Sequence, residues 1–288
     1  MKAEYVDHMG DDLAVVNAAR VSFDKVSDWN DTRYPEYWEV GMKVEYLRSE
    51  DWGPSKGDTG EIVSFKEEYT GDNRRPAKKY QVFYVKVGSG VFWTTPEDVK
   101  LVGGQAKVIR DDDTKLIKYL AKHDHWTPFA HTAIKLRMQA PLPIRTQCFK
   151  HKQGFVENEE SRRYISTMPN LFIPDDFRAA PTGGAKQGSS GEHNSSTFWK
   201  NIYQQRCLAM IDLYEAMIED GVCTEQARFV LPQGCEVQWI WTGNLYAFAN
   251  FYLKRTDSHA QKEIRDLAHM VGDIIEPLFP VSWKALVG

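Results

Sequence analysis

Lys150, His151 and Lys152 open a run of chemistry-bearing side chains that continues through Asn158, Glu159, Glu160, Ser161, Arg162, Arg163 and Tyr164. The fifteen positions from Lys150 to Tyr164 hold four cations, one histidine and, with Glu157, three carboxylates. The segment before it, Ala140-Pro141-Leu142-Pro143-Ile144, is apolar, and so is Ile165 after it. A plain surface helix carries such a mix, but apolar flanks point to a polar pocket held between buried elements. Ammonium, guanidinium and backbone N–H groups are the donors that a phosphate requires. Two positions apart, Ser161 and Arg163 fall on one side of an extended segment and so can reach one anion.

Other candidates lie elsewhere. His123, His125 and His131 fall within nine positions. Their spacing around Pro128 suits no helical ligand pair, and no carboxylate cluster accompanies them, so no metal site is expected. The four cysteines, Cys148, Cys207, Cys223 and Cys235, lack C-x-x-C spacing. They read as reduced, mostly buried thiols and not as a zinc site or disulfide framework. Cys148 has nothing nearby that marks an activated thiolate, and it reads as packing. Asn244 and Asn250 are six positions apart, roughly 600° around a helix, so one reads as a cap and the other as an interior amide. Taken alone, Arg228 pairs with Glu225 in an exposed ion pair of little worth. Gly183, Gly184, Gly188 and Gly191 lie in a serine-rich loop over 179–196 that no apolar strand leads into. It is a lid or disordered and carries no phosphate fingerprint.

Elements must place these residues. Asp11 or Asp12 caps a short helix that ends near Ala18-Ala19-Arg20-Val21-Ser22-Phe23 and passes into an extended piece. Asp111 to Thr114 start a second helix, with Leu116, Ile117, Tyr119 and Leu120 on its apolar face. Thr132 to Gln139 alternates, which makes a strand with Ile134, Leu136 and Met138 inward. Its neighbour, Ile144 to Lys152, extends the strand region of the core. Trp199 to Asp220 is a long amphipathic helix with Cys207, Ile211, Tyr214 and Ile218 in its stripe, widened by Met210, Leu213 and Met217. Thr224 caps a further helix that Pro232 ends. A last helix runs to Ile275.

Composition bounds the class. The chain has 288 residues, a net charge of −4, a pI near 6.1 and a mean hydropathy of −0.51. That length supports one large domain or two unequal ones. No apolar run approaches a membrane span, and Met1 to Asp7 lack the apolar core of a signal peptide. A cytoplasmic protein is expected. The acidic balance argues against general nucleic-acid binding.

Between about Val40 and Val102 the pattern changes. Met42–Leu47, Gly60–Phe65, Tyr80–Val85 and Gly90–Trp93 are short β-rich runs, separated by turns such as Gly57-Asp58-Thr59-Gly60 and Gly71-Asp72-Asn73. With Pro96 to Val102 closing it, this reads as a small SH3-like barrel inserted in a loop. Trp52 or Trp93, if exposed, offers a partner a surface. Passive decoration is the more economical reading, and no partner of the insert is named.

The Lys150 stretch resembles the signature of the flavin-dependent thymidylate synthases, Arg-His-Arg, a short spacer, then Asn-Glu-x-Ser-x-Arg-Tyr. Here both flanking arginines are lysines, which lack the planar fork, and the spacer Gln153 to Glu157 is one residue longer. Four more stretches extend the resemblance: Ala19-Arg20-Val21-Ser22, Thr127-Pro128-Phe129-Ala130-His131, Ala227-Arg228-Phe229-Val230-Leu231-Pro232, and Arg255-Thr256-Asp257-Ser258-His259-Ala260-Gln261-Lys262-Glu263-Ile264. Lys254 stands where the family has Leu. The likeness covers about 8–27 and 108–280.

The resemblance implies an α/β (α+β) fold. A flavin-dependent thymidylate synthase-like catalytic domain would occupy 1–39 and 103–288, with the SH3-like barrel at 40–102. It implies reductive methylation of dUMP with FAD, NADPH and 5,10-methylenetetrahydrofolate, without a cysteine nucleophile, in a homotetramer whose sites are shared between subunits. Arg255 would steady negative charge on the uracil ring and act as the catalytic residue. Gln147, Lys150, Glu159, Ser161, Arg163, Arg228 and Arg255 would hold dUMP. Ser22, His131, Lys150, His151, Lys152, Glu159, Asn244, Asn250 and His259 would hold FAD. Two rival readings are a related flavin- and folate-dependent hydroxymethylating enzyme and a non-enzymatic nucleotide- or nucleic-acid-binding protein that acts through the barrel.

Overall fold

The structure is a computed structural model that describes residues 1–29, 43–46, 54–70, 78–94, 99–101, 109–181 and 188–288. The chain divides into two compact units, one made of Met1–Ser27 with Asp112–Gly288 and the other of Asp28–Asp111.

The first unit begins with strand β1 (Lys2–Met9) and helix α1 (Asp12–Arg20). Strand β1 mixes polar and apolar residues and is mostly exposed, so no alternation reveals it. It exists because its backbone pairs antiparallel with a later strand, from Lys2 opposite Gln139 to Met9 opposite Ala133. Asp11 caps α1 by accepting from the Ala14 N–H at 2.9 Å. Asp12 does something else. Buried, it accepts from the backbone N–H groups of Val281 at 2.9 Å and Ser282 at 2.8 Å, tying the two chain ends together. The extended piece expected after α1 is instead a 3-10 turn, Val21–Phe23.

The second unit holds β2 (Lys43–Tyr46), β3 (Thr59–Thr70), β4 (Lys78–Val87), β5 (Gly90–Thr94) and β6 (Val99–Leu101). They form an antiparallel sheet in the order β5-β4-β3-β2-β6. Val44, Tyr46, Ile62, Val82 and Val85 are buried, while Trp93 is exposed. Trp52 and the turn at 71–73 lie outside the described residues.

The first unit resumes with α2 (Asp111–Lys122), which buries Ile117 and Leu120 but leaves Tyr119 half exposed. Next come α3 (Thr127–Ala130) and β7 (Ala133–Pro141). In β7, Ile134, Leu136 and Met138 are buried as the alternation requires. The following segment is not a strand. Leu142–Cys148 is helix α4, because Pro141 ends β7, Pro143 suits a first helical turn, and Ile144 and Cys148, one turn apart, bury together. Strand β8 (Phe155–Glu159) and helix α5 (Ser196–Glu219) follow. In α5, Cys207, Ile211 and Tyr214 are buried, whereas Met210 and Leu213 are exposed, so its apolar stripe is wider than the face it buries.

Next are α6 (Thr224–Ala227), a 3-10 turn at Arg228–Val230, and β9 (Glu236–Gly243). Thr224 is not the cap of α6: Cys223 holds that position, and the Thr224 hydroxyl donates to the Arg163 carbonyl. The chain ends with α7 (Leu245–Thr256), α8 (Lys262–Ile275) and α9 (Pro280–Val287), the last lying beyond the expected end of helical structure. The sheet of this unit is antiparallel, in the order β1-β7-β9-β8. Trp239 and Trp241 of β9 join β7's inward face. Trp241 stacks on Phe155 at 4.3 Å and meets Phe248 and Phe251 of α7 edge-on at 5.3 and 4.9 Å. Each such aromatic pair adds about 1 kcal/mol beyond burial, which fixes α7 and the Arg255 it carries against the sheet. Among the described residues, no helix is long and apolar enough to cross a membrane.

Candidate active site

Arg255 sits in the last turn of α7, opposite the end of α4. Its Nε donates to His151 Nε2 at 3.0 Å, its Nη2 to the Gln147 carbonyl at 3.1 Å, and its Nη1 to Gln147 Oε1 at 3.5 Å. All three acceptors are neutral. Among the described residues no carboxylate is paired with this guanidinium, so its charge is available to an anion. Because His151 Nε2 accepts, its imidazole is neutral, with any proton on Nδ1. Burial, then the charges of Arg255 and Lys254, lower its pKa to about 4. The ring lies edge-on to Phe251 at 5.1 Å. The thiol next to Gln147 is the opposite case. Cys148 is fully buried, and burial pushes it up to about 12, so it is protonated and inert at neutral pH.

We expect His151 to titrate near 4 by NMR. The unfolded imidazole titrates near 6.5, so between these values the unfolded chain binds more protons. This group's contribution to stability is therefore complete above pH 6.5 and is lost as pH falls toward 4. A midpoint near 6.5 would refute the neutral-acceptor geometry.

A second cluster forms around the Ser161 stretch. Ser161 to Tyr164 is a turn, closed by the Tyr164 N–H to the Ser161 carbonyl at 3.0 Å, and not an extended segment. Ser161 and Arg163 thus do not face one side as strand neighbours; instead the Arg163 N–H approaches Ser161 Oγ at 3.4 Å. Strand β8 ends at Glu159, and the turn is held against α6 by the Thr224 hydroxyl, which donates to the Arg163 carbonyl. Arg163 Nε donates to Glu225 Oε1 at 2.6 Å, and Arg228 Nε donates to the Glu225 carbonyl at 3.2 Å. Glu225 therefore gathers both arginines, but its carboxylate goes to Arg163 rather than Arg228. Both members of that ion pair are half exposed, and such a pair contributes about 0–1 kcal/mol, little enough for a phosphate to displace it. No hydrogen bond or ion pair among the described residues joins this turn to Arg255.

The remaining predicted residues are spread around these clusters. Glu159 is held by Arg145 in a fork, Nη2 to Oε1 at 2.8 Å and Nε 2.7 Å from Oε2. Burial raises Glu159's pKa, opposed by Arg145. Lys152 pairs with Glu157 and lies over the Phe149 ring at 5.4 Å. Lys150 is exposed, with no partner among the described residues. Ser22 is exposed on its 3-10 turn. His259 is exposed and bonded to Asp257 at 3.0 Å. Asn250, inside α7, bonds the Tyr246 side chain, whose hydroxyl donates to Asp124 at 2.7 Å. His131 ends α3, and its neighbour Thr132 accepts from the Leu245 N–H at 2.9 Å, which brings His131 beside the start of α7.

Asn244 caps that start, accepting from the Ala247 N–H at 2.8 Å. It is seated by Gly154, whose carbonyl accepts from the Asn244 N–H at 3.2 Å. Gly154 has φ +77°, and a Cβ there would lie 2.7 Å from Asn244 Nδ2 and 2.9 Å from Ala247 Cβ. Gly154→Ala should therefore cost about 2 kcal/mol from backbone strain and crowding together, read as a lowered Tm. An unchanged Tm would mean that the cap is not tightly seated.

A cavity of ≈360 Å³ lies elsewhere, on the polar face of the sheet among Lys2, Glu4, Arg137, Gln139 and Gln238, and none of the predicted residues line it. Among the described residues, no group of three His, Cys, Asp or Glu is placed to hold a metal ion. Sequence reasoning gave no role to Arg145, Arg178, Gln261 or Glu263. Gln261 and Glu263 did stand in the matched Arg255 motif, whereas nothing local marks Arg145 or Arg178.

The family described as thymidylate synthase complementing protein matches residues 69–281. The flavin-dependent thymidylate synthase of Thermosipho africanus is 31% identical over 185 residues, covering 62% of this chain and 78% of the relative. That of Thermus thermophilus is also 31% identical over 185 residues, covering 64% and 66%. The fold is shared with a UMP/dUMP methylase, PolB from Streptomyces cacaoi, solved with 5-Br dUMP. Its TM-score is 0.64 at 20% identity, over 99% of this chain and 93% of that one. A match across this much of its length settles the kinship: the chain belongs to the flavin-dependent thymidylate synthase family.

Proposed function

We propose that the protein is an FAD-dependent thymidylate synthase that converts dUMP to dTMP, with 5,10-methylenetetrahydrofolate as one-carbon donor and NADPH as reductant. The observation that carries this reading is Arg255, a part-buried guanidinium that among the described residues is held only by the neutral acceptors of Gln147 and His151. Such a cation favours an anionic, electron-rich pyrimidine and needs no enzyme nucleophile, in keeping with the inert thiol of Cys148. Ser161, Arg163 and Arg228 take the phosphate, displacing Glu225, with Lys150 and Glu159 at the edge of the substrate.

The donor set fits a flavin. Lys150 offers an exposed ammonium, without a partner among the described residues, for a pyrophosphate, and Ser22, His131 and His259 are exposed polar groups. Asn244 and Asn250 present amides along α7, with His151, Lys152 and Glu159 completing the set. When bound, the flavin supplies the reducing equivalent. The protein's own residues orient substrate and cofactor.

Because no hydrogen bond or ion pair among the described residues joins the Arg255 and Arg163 clusters, the reading includes a homotetramer whose subunits complete each other's sites. Tyr164 and Phe229, 79% and 78% exposed beside Arg163 and Arg228, are apolar surface that such assembly would cover. It also includes a cytoplasmic location, where the four free cysteines stay reduced. The unit at 40–102 is proposed as an inserted SH3-like accessory domain.

The test is tritium release from 5-tritiated dUMP with FAD, NADPH and the folate, followed by product analysis. dTMP is expected. A 5-hydroxymethyl product would favour the hydroxymethylating alternative, and a colourless protein that releases no flavin on denaturation would sink both.

A further inference from the structure

A line of hydrogen bonds leads from Arg255 to residues outside the site as described. Gln147, which accepts from Arg255, donates through Nε2 to Gln261 Oε1 at 2.8 Å. Gln261 Nε2 donates to Glu263 Oε2 at 2.8 Å. Both oxygens of Glu263 accept from Arg178 Nη2, at 2.8 and 2.9 Å. Glu263 is 7% exposed. Burial pushes its pKa up, but hydrogen bonds from its own backbone, Arg178 and Gln261 outweigh this and hold the carboxyl below its ordinary range, so it is ionised. Arg178 also donates through Nε to Ser189 Oγ at 2.9 Å, which ties Ser189 to the same line.

A primary amide can present either its oxygen or its NH2 to a neighbour, and a carboxylate only accepts. Ionised Glu263 therefore forces the Gln261 NH2 toward itself. That leaves the Gln261 oxygen facing Gln147, so Gln147 turns its NH2 to Gln261 and its oxygen to Arg255. Arg255, which only donates, asks for the same direction from the other end. In Glu263→Gln the one oxygen faces the donor-only Arg178 and the NH2 faces Gln261, so the two ends of the line oppose each other and the Gln147 NH2 can be turned toward the Arg255 guanidinium, donor against donor. Arg178→Ala creates the same conflict, because it removes bonds that keep Glu263 ionised against its burial, and the protonated acid brings a donor of its own.

We infer that Glu263 and Arg178 are positioning residues that set the direction of the Gln261 and Gln147 amides and thereby aim Arg255. This rests on the proposed function only for its effect on turnover. The aiming itself has a separate reporter in His151, whose low pKa depends in part on where the Arg255 charge sits.

The test uses the full-length protein with FAD. Glu263→Gln and Arg178→Ala are compared with wild type, and Arg178→Lys, which keeps a cation on Glu263, serves as the conservative control. Tritium release gives kcat and KM for dUMP, and NMR gives the His151 midpoint. Glu263→Gln and Arg178→Ala are expected to lower kcat about 10- to 100-fold and to raise the His151 midpoint by about one pH unit, a ten-fold change in its protonation constant. Arg178→Lys should recover most of both. Wild-type kcat in Glu263→Gln and Arg178→Ala with an unmoved midpoint overturns the inference, and so does lost turnover with the midpoint still near 4. If wild type itself releases no tritium, the functional reading fails, while a midpoint that moves in the variants still supports the aiming role. Should Glu263→Gln not fold, Arg178→Ala at the outer end of the line decides the matter alone.

Discussion

Arg255→Ala is expected to lower kcat for tritium release from dUMP by about 10²- to 10³-fold, equivalent to about 3–4 kcal/mol of lost charge stabilisation. The size follows from the surroundings. The guanidinium is part-buried and, among the described residues, bonds only neutral acceptors, with no carboxylate to screen it. Charge developing on a pyrimidine would meet it undiminished and without reorganisation. The loss should fall on kcat more than on KM, because phosphate contacts assigned to Ser161, Arg163 and Arg228 remain. Arg255→Lys should recover only part of it. A lysine keeps the charge but cannot bond His151 Nε2 and the two Gln147 oxygens from one rigid fork. Full turnover in the alanine variant would remove Arg255 from the mechanism.

Asp113→Ala should destabilise the fold by about 3–5 kcal/mol, the cost of leaving a buried charge unpaired. Asp113 is fully buried near the start of α2. Its Oδ1 accepts from Arg20 Nε at 2.9 Å and from Ser27 Oγ at 3.0 Å. Arg20 closes α1, and Val21 to Phe23 turn immediately after it, so this bond also fastens the segment carrying Ser22. Alanine would strand the guanidinium and the hydroxyl together. Asp113→Asn should fall in between, since its amide oxygen still accepts but the charge is gone. Urea unfolding of the three proteins measures this. A loss under about 1 kcal/mol for alanine would mean that water reaches Arg20 once the carboxylate is removed.

Local chemistry made part of this molecule legible before any coordinates. Alternation in Thr132 to Gln139 is enough for a strand with Ile134, Leu136 and Met138 inward, because a strand's period is two and one face must be dry. Helix starts were legible at Asp11 or Asp12 and at one of Asn244 and Asn250, since a short oxygen-bearing side chain satisfies the first free N–H groups, and the fold gives the caps to Asp11 and Asn244. The resemblance to the family's motifs singled out Gln147, His151 and Arg255, far apart in the chain and hydrogen-bonded to one another in the fold.

Tertiary structure decided the rest, wherever a residue's partner is remote. Strand β1 has no pattern of its own and forms because β7 offers it an edge. Asp12 looked like a spare cap for α1 and instead holds α9, some 270 positions away. Leu142 to Cys148 became a helix because Ile144 and Cys148 had a core to face together. Glu263 shows the same limit within the site. No spacing rule reveals that a carboxylate eight residues past Arg255 governs an amide on α4, because the direction of a hydrogen-bond line is set at its far end, and only the folded chain brings that end into place.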